Sequence, residues 1–285
     1  GIPTNKLEKV GVNIDDIKTM EELTDYLRKL HKVEPESNRV GTMWNMAMQY
    51  YGMNGFLGEG LPGAFYRSQT GKPIAINQYE SPEFEQYIRM RRDWVKEGLS
   101  FDAYTTDDTS SSSEDIQKNP FELSTYKPGV AAEKSKSKGY EWQFAQLSPA
   151  VFSGGAVRNA ITAVSATSKN VDNAIKFLEI INSDKEIFNM LCWGIEGRQY
   201  TKVSENQIKV GENNGYSGIS AWELGSVKNS YVLDTQPADL WEQTERYNNE
   251  AIVSPILGFE AKTDSITAEL ANCKNVIKAQ LTMLE

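Results

Sequence analysis

Hydrophobic and polar positions are most informative between Ala160 and Val203. The stretch opens with an apolar run (Ala160, Ile161, Ala163, Val164) that predicts a buried strand or crossing segment. Polar Ser165 to Asn170 break the run, and Asn170 is placed to cap a helix. In that helix Ala174, Phe177, Leu178 and Ile181 fall at i, i+3, i+4 and i+7, one apolar stripe. Ser183 and Glu186 have capping-box spacing and predict a second helix carrying Ile187, Met190 and Leu191. Gly194 stops it, and Trp193 to Tyr200 (WGIEGRQY) follow as a loop of aromatic and charged groups.

Elsewhere the pattern predicts further helices. Ile17 to Glu36 begins with a Thr19/Glu22 capping box, buries Met20, Leu23, Leu27 and Leu30, and ends before Pro35. Ser81-Pro82-Glu83 starts a helix with Phe84, Tyr87, Ile88, Trp94 and Val95 in helical register, stopped by Gly98. Pro237 to Ala251 and Ser265 to Leu281 are also helical, the last with Ile266, Leu270, Cys273, Ile277 and Leu281 on one side. Between them lie a Met- and aromatic-rich stretch (Asn38 to Tyr51), a glycine-rich loop (Gly52 to Gly63) and a short strand at Ile74 to Ile76. Residues 105–119 are a low-complexity polar run whose Asp107, Asp108, Glu114 and Asp115 lack the order of a calcium loop. Val130 to Lys138 reads as a surface segment and Ser153-Gly154-Gly155 as a turn. Residues 204–218 read as a hairpin-like excursion, and Ser254 to Phe259 as a turn with a buried tail.

Composition narrows the function. Thirty Lys and Arg against 39 Asp and Glu give a net charge of −9, which argues against nucleic acid as a partner. The run of about 18 apolar residues that a membrane span needs is missing. Cys192 and Cys273 both sit in apolar helical contexts, which predicts buried, reduced thiols rather than a disulfide. His31 is the single histidine, so a Ser-His-Asp triad or a multi-histidine metal site would rest on it alone. No catalytic residue, metal site or cofactor is expected.

The loop after Trp193 admits two readings. In one, Gly194 and Gly197 are a helix stop and a turn, with Trp193 and Tyr200 plugging the core. In the other it is a recognition loop whose rings flank a carboxylate and a guanidinium. The motif LCWGIEGRQY resembles a GIEGKHY-type signature of lipid-anchored solute-binding proteins of ABC transporters from Gram-positive bacteria; Arg198 stands for the usual Lys and Gln199 for the usual His. AITAVSATSKNVDNAIKFL resembles the hinge-crossing strand and helix of that family, and IKTMEEL…EP and NQYESPEFEQYIRMRRDWVKEGL resemble elements of its second lobe. The C-terminal order WELG, PADLW, SPILGF and a terminal helix resembles the C-terminal domain of the same subgroup. Gly1 to Lys6 resembles the tail of the first lobe, but Leu7 to Gly11 follow directly where relatives insert a further strand and crossing segment.

That resemblance implies an α/β fold of the type 2 periplasmic-binding-protein kind, mainly the second lobe with C-terminal elements of the first. It divides the chain at residue 165, with an α/β segment before it and a hinge-following helical and C-terminal segment after. It implies a solute, chiefly an oligosaccharide, captured and handed to a membrane permease by an extracellular protein, lipid-anchored in its full-length form. The ligand-binding set expected is Trp193, Glu196, Arg198 and Tyr200, with Trp44 on the opposite wall of the same lobe. Six Trp and thirteen Tyr supply rings for sugar faces. A glycoside hydrolase is the alternative from another class, with Glu196 the best acid but no second carboxylate picked out by motif. A remnant that folds without binding is the third.

Overall fold

The computed structural model describes residues 1–41, 43–58, 60–67, 72–101, 118–211 and 215–284. In chain order its principal elements are β1 (Ile2–Pro3), α1 (Thr4–Val10), α2 (Met20–Val33), α3 (Trp44–Ala47), β2 (Met53–Gly55), β3 (Gly63–Arg67), β4 (Pro73–Asn77) and α4 (Pro82–Lys96). There follow α5 (Val130–Lys138), β5 (Trp142–Gln143), β6 (Val151–Phe152), α6 (Gly154–Arg158), α7 (Val171–Ser183), α8 (Lys185–Trp193), β7 (Tyr200–Lys202) and β8 (Gln207–Val210). Then come α9 (Ala221–Leu224), β9 (Val232–Leu233), α10 (Leu240–Asn249), β10 (Ile252–Val253) and α11 (Thr267–Leu284). The acidic run at Asp107, Asp108, Glu114 and Asp115 lies outside the described residues.

The chain builds two compact units that alternate along the sequence. The first takes Gly1–Tyr126, Glu133–Pro149 and Pro255–Glu285; the second takes Lys127–Ala132 and Ala150–Ser254. Residue 165 falls inside the second unit.

In the first unit α2 forms as its sequence dictates. Thr19 and Glu22 exchange capping bonds, and Met20, Leu23, Leu27 and Leu30 turn inward. Ser81 caps α4, Pro82 occupies its first position, and Phe84, Tyr87, Ile88 and Trp94 are buried. Gly98 follows at φ +75, a left-handed conformation that suits a residue without Cβ. These helices share a core with Trp44, Met43, Ala47 and Met48 from the Met- and aromatic-rich stretch. The expected glycine loop is instead partly strand: β2, β3 and β4 form an antiparallel meander with Met53 opposite Tyr66 and Ala64 opposite Ile76. One face of that sheet (Met53, Ala64, Tyr66, Ile76) packs on the core.

The second unit is built around α7 and α8. Several local expectations change here. Asn170 stands at the N-terminus of α7 without a side-chain capping bond. Asp184, not Ser183, caps α8 by accepting from the Glu186 and Ile187 amides at 2.9 Å each, because a carboxylate one residue nearer reaches both donors. Of the α7 stripe only Ile181 is fully inside; Phe177 remains 49% exposed. On α8 the buried residues are Phe188, Asn189 and Cys192, while Ile187 and Met190 stay exposed. The apolar run at 160–164 forms no strand, and Ile161 is exposed, since among the described residues nothing pairs with it. Val130 to Lys138 is helical, as α5, and has no buried residue, as a surface segment should. Gly154 and Gly155 open a helix, α6, in place of the expected turn. β7 and β8 pair antiparallel through a turn at 203–206, so the hairpin starts ahead of the excursion expected at 204–218 and only β8 falls within it. β9 adds to β8 in parallel. In the first unit, Phe259 is half-exposed rather than a buried tail.

Cys192 is buried, and burial pushes its thiol up to about 11, so it behaves as an apolar filler. Cys273 is exposed, which corrects its expected burial: α11 turns that position outward while Leu281 packs inward.

Ile181 and Ile175 therefore make a matched test. Ile181→Ala is expected to cost about 2–5 kcal/mol of unfolding free energy. Ile175→Asp, at a position already exposed, is expected to change stability by less than about 0.5 kcal/mol. Urea denaturation followed by circular dichroism reads both.

Candidate functional site

The loop from Trp193 to Tyr200 is fastened from within. Gly194 lies at φ +86, and a Cβ there would meet the Gln199 side chain at 2.9 Å, so only glycine fits. Gln199 is buried and its Oε1 accepts from the Ile195 amide at 2.9 Å. The Gly197 amide donates to the Tyr200 carbonyl at 2.7 Å, and the Gln199 amide to the Ile195 carbonyl at 2.9 Å. A polar side chain thus locks the turn from behind and leaves Ile195 to Arg198 on the surface.

Each expected residue has a definite place. Trp193 is half-buried, packing on both apolar clusters of the second unit, and its indole N–H donates to Ser230 Oγ at 3.2 Å. Tyr200 is buried, its ring 6.0 Å from that of Tyr231. Burial first, then the neighbouring Tyr231 and Glu196, raises the Tyr200 phenol above its ordinary value. Glu196 is exposed and pairs with Lys202 at 3.2 Å. Hydrogen bonding to Tyr231 first, then to Glu196, holds the Lys202 ammonium in its charged form. Arg198 is exposed at the loop tip.

Trp44 requires two corrections. It belongs to the first unit, whereas the loop belongs to the second, so the two do not share a lobe. Its exposure is 0%, with rings of Phe84, Tyr87 and Tyr51 at 5.0, 5.1 and 5.8 Å and its N–H given to Gln78 Oε1 at 2.6 Å. It presents no surface to a solute; a large ring with a satisfied N–H is better suited to closing a core.

Sequence reasoning missed the residues that hold the loop: Gln199, Ser230, Tyr231 and Asn189. Asn189 is buried, donates to the Lys185 and Asn229 carbonyls at 2.7 Å each, and accepts from the Tyr231 amide at 2.8 Å. Its one sequence signal is an amide among apolar neighbours on α8. Tyr231 lies under two lysines, Lys185 and Lys202, each 5.2 Å from its ring centroid. Among the described residues no group of three or more His, Cys, Asp and Glu side chains is placed to hold a metal ion. No helix among them is long and apolar enough to cross a membrane.

Two interleaved units of short sheets and covering helices define an α/β, periplasmic-binding-protein-like fold, the fold of extracellular solute-binding proteins. The structure superposes on the N-glycan transport solute binding protein of Streptococcus pneumoniae with a TM-score of 0.81 at 20% identity, covering 99% of this chain and 63% of that one. The same pneumococcal protein in complex with Man1GlcNAc gives 0.77 at 22% identity, over 99% and 64%. In sequence, the chain is 22% identical over 283 residues to a carbohydrate ABC transporter substrate-binding protein of Streptococcus pneumoniae serotype 4, covering 95% of this chain and 56% of that protein. The chain thus spans less than two thirds of the length of these relatives. No family model matches it.

Proposed function

We propose that this chain is the solute-capturing part of an ABC importer, takes an oligosaccharide, and passes it to a membrane permease. The observation that carries the reading is the superposition of 99% of the chain on a solute-binding protein at a TM-score of 0.81. The relatives are a carbohydrate substrate-binding protein and an N-glycan transport protein, and that chemistry is proposed here too. The protein acts outside the cell, lipid-anchored in its full-length form, and binds without turning its solute over.

On the loop, Glu196 and Arg198 offer an acceptor and a donor fork two residues apart, both exposed. The uncovered part of Trp193 adds an apolar surface, and buried Tyr200 anchors the turn. Sugars match such a set, with C–H faces for the ring and hydroxyls for the ionic groups. Covering one sugar face of about 60 Å² contributes about 1.5 kcal/mol.

Titration calorimetry against a panel of oligosaccharides that includes Man1GlcNAc tests the reading. Saturable binding is expected. Arg198→Ala is expected to weaken it at least fivefold, with the melting temperature unchanged because Arg198 is a surface residue. Binding by none of the panel overturns the reading. Release of free sugar from a bound glycan replaces it with a glycosidase.

A further inference from the structure

The sheet face of the first unit that turns away from the core carries a cluster of phenyl rings. Along β2, β3 and β4 the register places Asn54 opposite Phe65 and Phe65 opposite Ala75, while Met53, Ala64 and Ile76 face inward. Phe56 continues the outward row beyond β2, and its ring lies 4.7 Å from Phe65. The third ring comes from far along the chain. Phe259 stands over both, with centroids 6.0 Å from Phe56 and 5.8 Å from Phe65 at near-perpendicular angles, and remains 49% exposed.

Two glycines seat this cluster. A Cβ on Gly63 would come within 2.9 Å of the Phe56 ring and 2.5 Å of Leu57, so the absence of a side chain lets Phe56 lie down on the strand. Gly258 at φ +82 turns the backbone just before Phe259, whose amide closes back on the Ile256 carbonyl at 2.9 Å. The strand positions beside the rings are uncharged, although exposed Glu260 follows Phe259 in the chain. Asn54, Ala75 and Asn77 complete the row, and the nearest charged register position is Arg67 at the end of β3. In a chain with 24% charged residues, an uncharged aromatic surface bordered by amides matches a neutral ligand with one apolar face and a hydroxylated rim.

We propose that Phe56, Phe65 and Phe259 form a sugar-binding platform, with a pyranose ring lying on the exposed part of Phe259 and its hydroxyls reaching Asn54 and Asn77. The platform lies wholly within the first unit and is distinct from the loop at Trp193. It deepens the oligosaccharide reading above and rests on it.

The test uses the 285-residue chain, Man1GlcNAc as probe, and calorimetry alongside melting curves. Phe259→Leu keeps an apolar side chain on the sheet but removes the ring face; it is expected to weaken binding about fivefold or more, with the melting temperature unchanged. Phe259→Trp is expected to preserve or strengthen it. Ile74→Ala, which trims an exposed apolar residue elsewhere on the sheet, is expected to leave binding as it was. In the wild type, the ring resonances of Phe259, assigned from the Leu variant, are expected to shift as the glycan saturates. Unchanged affinity in Phe259→Leu, or resonances that stay still while the glycan binds, overturns the platform and leaves the oligosaccharide reading standing. Affinity that falls only together with melting temperature shows that Phe259 latches the chain to the sheet, which also overturns it. A wild type that binds no glycan removes both.

Discussion

Trp44→Ala is expected to lower the unfolding free energy of the first unit by about 3–5 kcal/mol from lost burial and the cavity left behind. Leaving Gln78 Oε1 without its donor adds about 1–3 kcal/mol. The size follows from the packing. Trp44 is fully enclosed by Tyr51, Phe84 and Tyr87, so its indole sits where α3 and α4 meet. Its N–H bond to Gln78 is one link of a chain, because Gln78 Nε2 donates to the Leu61 carbonyl at 2.6 Å and so pins the approach to β3. Trp44→Phe separates the two contributions: it keeps most of the ring packing and removes only the donor, for an expected loss of about 1–3 kcal/mol. Guanidinium denaturation followed by circular dichroism measures both variants. A loss below about 1 kcal/mol in Trp44→Ala would mean that the ring is not part of this core.

Glu34→Gln is expected to cost about 3–5 kcal/mol, as breaking a buried ion pair does. Lys6 is only 4% exposed, and its ammonium lies 3.2 Å from Glu34 Oε1. Lys9 and the Ser37 hydroxyl also donate to this carboxylate, and Lys6 donates to Ser37. Burial alone raises the Glu34 carboxyl; the hydrogen bonds from Lys9 and Ser37 and the charge of Lys6 outweigh it and hold the group at about 2, against an ordinary 4.5. The unfolded chain therefore takes up a proton before the folded one. The contribution of this carboxylate is complete above its ordinary value, fades as the pH falls below 4.5, and is gone below about 2. Wild-type stability should fall across that window more steeply than that of Glu34→Gln. Lys6 carries the opposite term, since burial lowers its pKa and keeping it charged costs folding free energy. Lys6→Met in the Glu34→Gln background should consequently recover much of the loss. Urea denaturation over a pH series reads the whole set.

Legibility in the sequence followed how local each determinant is. α2 and α4 were readable end to end, because caps at Thr19 and Ser81, Pro82 at a helix start and a 3.6-residue stripe all lie within one element. The Trp193 loop was readable as a loop, but its workings were not. Gln199 looked like a neutral replacement in a motif, and only the fold shows it filling the space that Gly194 leaves open. Trp44 was misread because an aromatic beside polar residues looks the same whether it lines a surface or closes a core. Its burial is set by Phe84 and Tyr87, some forty residues away.

By itself, then, the sequence determined the helices with complete local signals, an acidic chain and, through its collinear motifs, the class of protein it resembles and the α/β fold that resemblance implies. The tertiary structure decided which apolar positions are core: Ile181 rather than Phe177, Phe188 rather than Ile187, Phe259 outward on a sheet. It also decided the partition into two units that the chain visits alternately. The reason is that periodicity records which faces of an element are apolar, while burial depends on what another segment brings against that face, and the spacing of residues within one element carries no record of its partner.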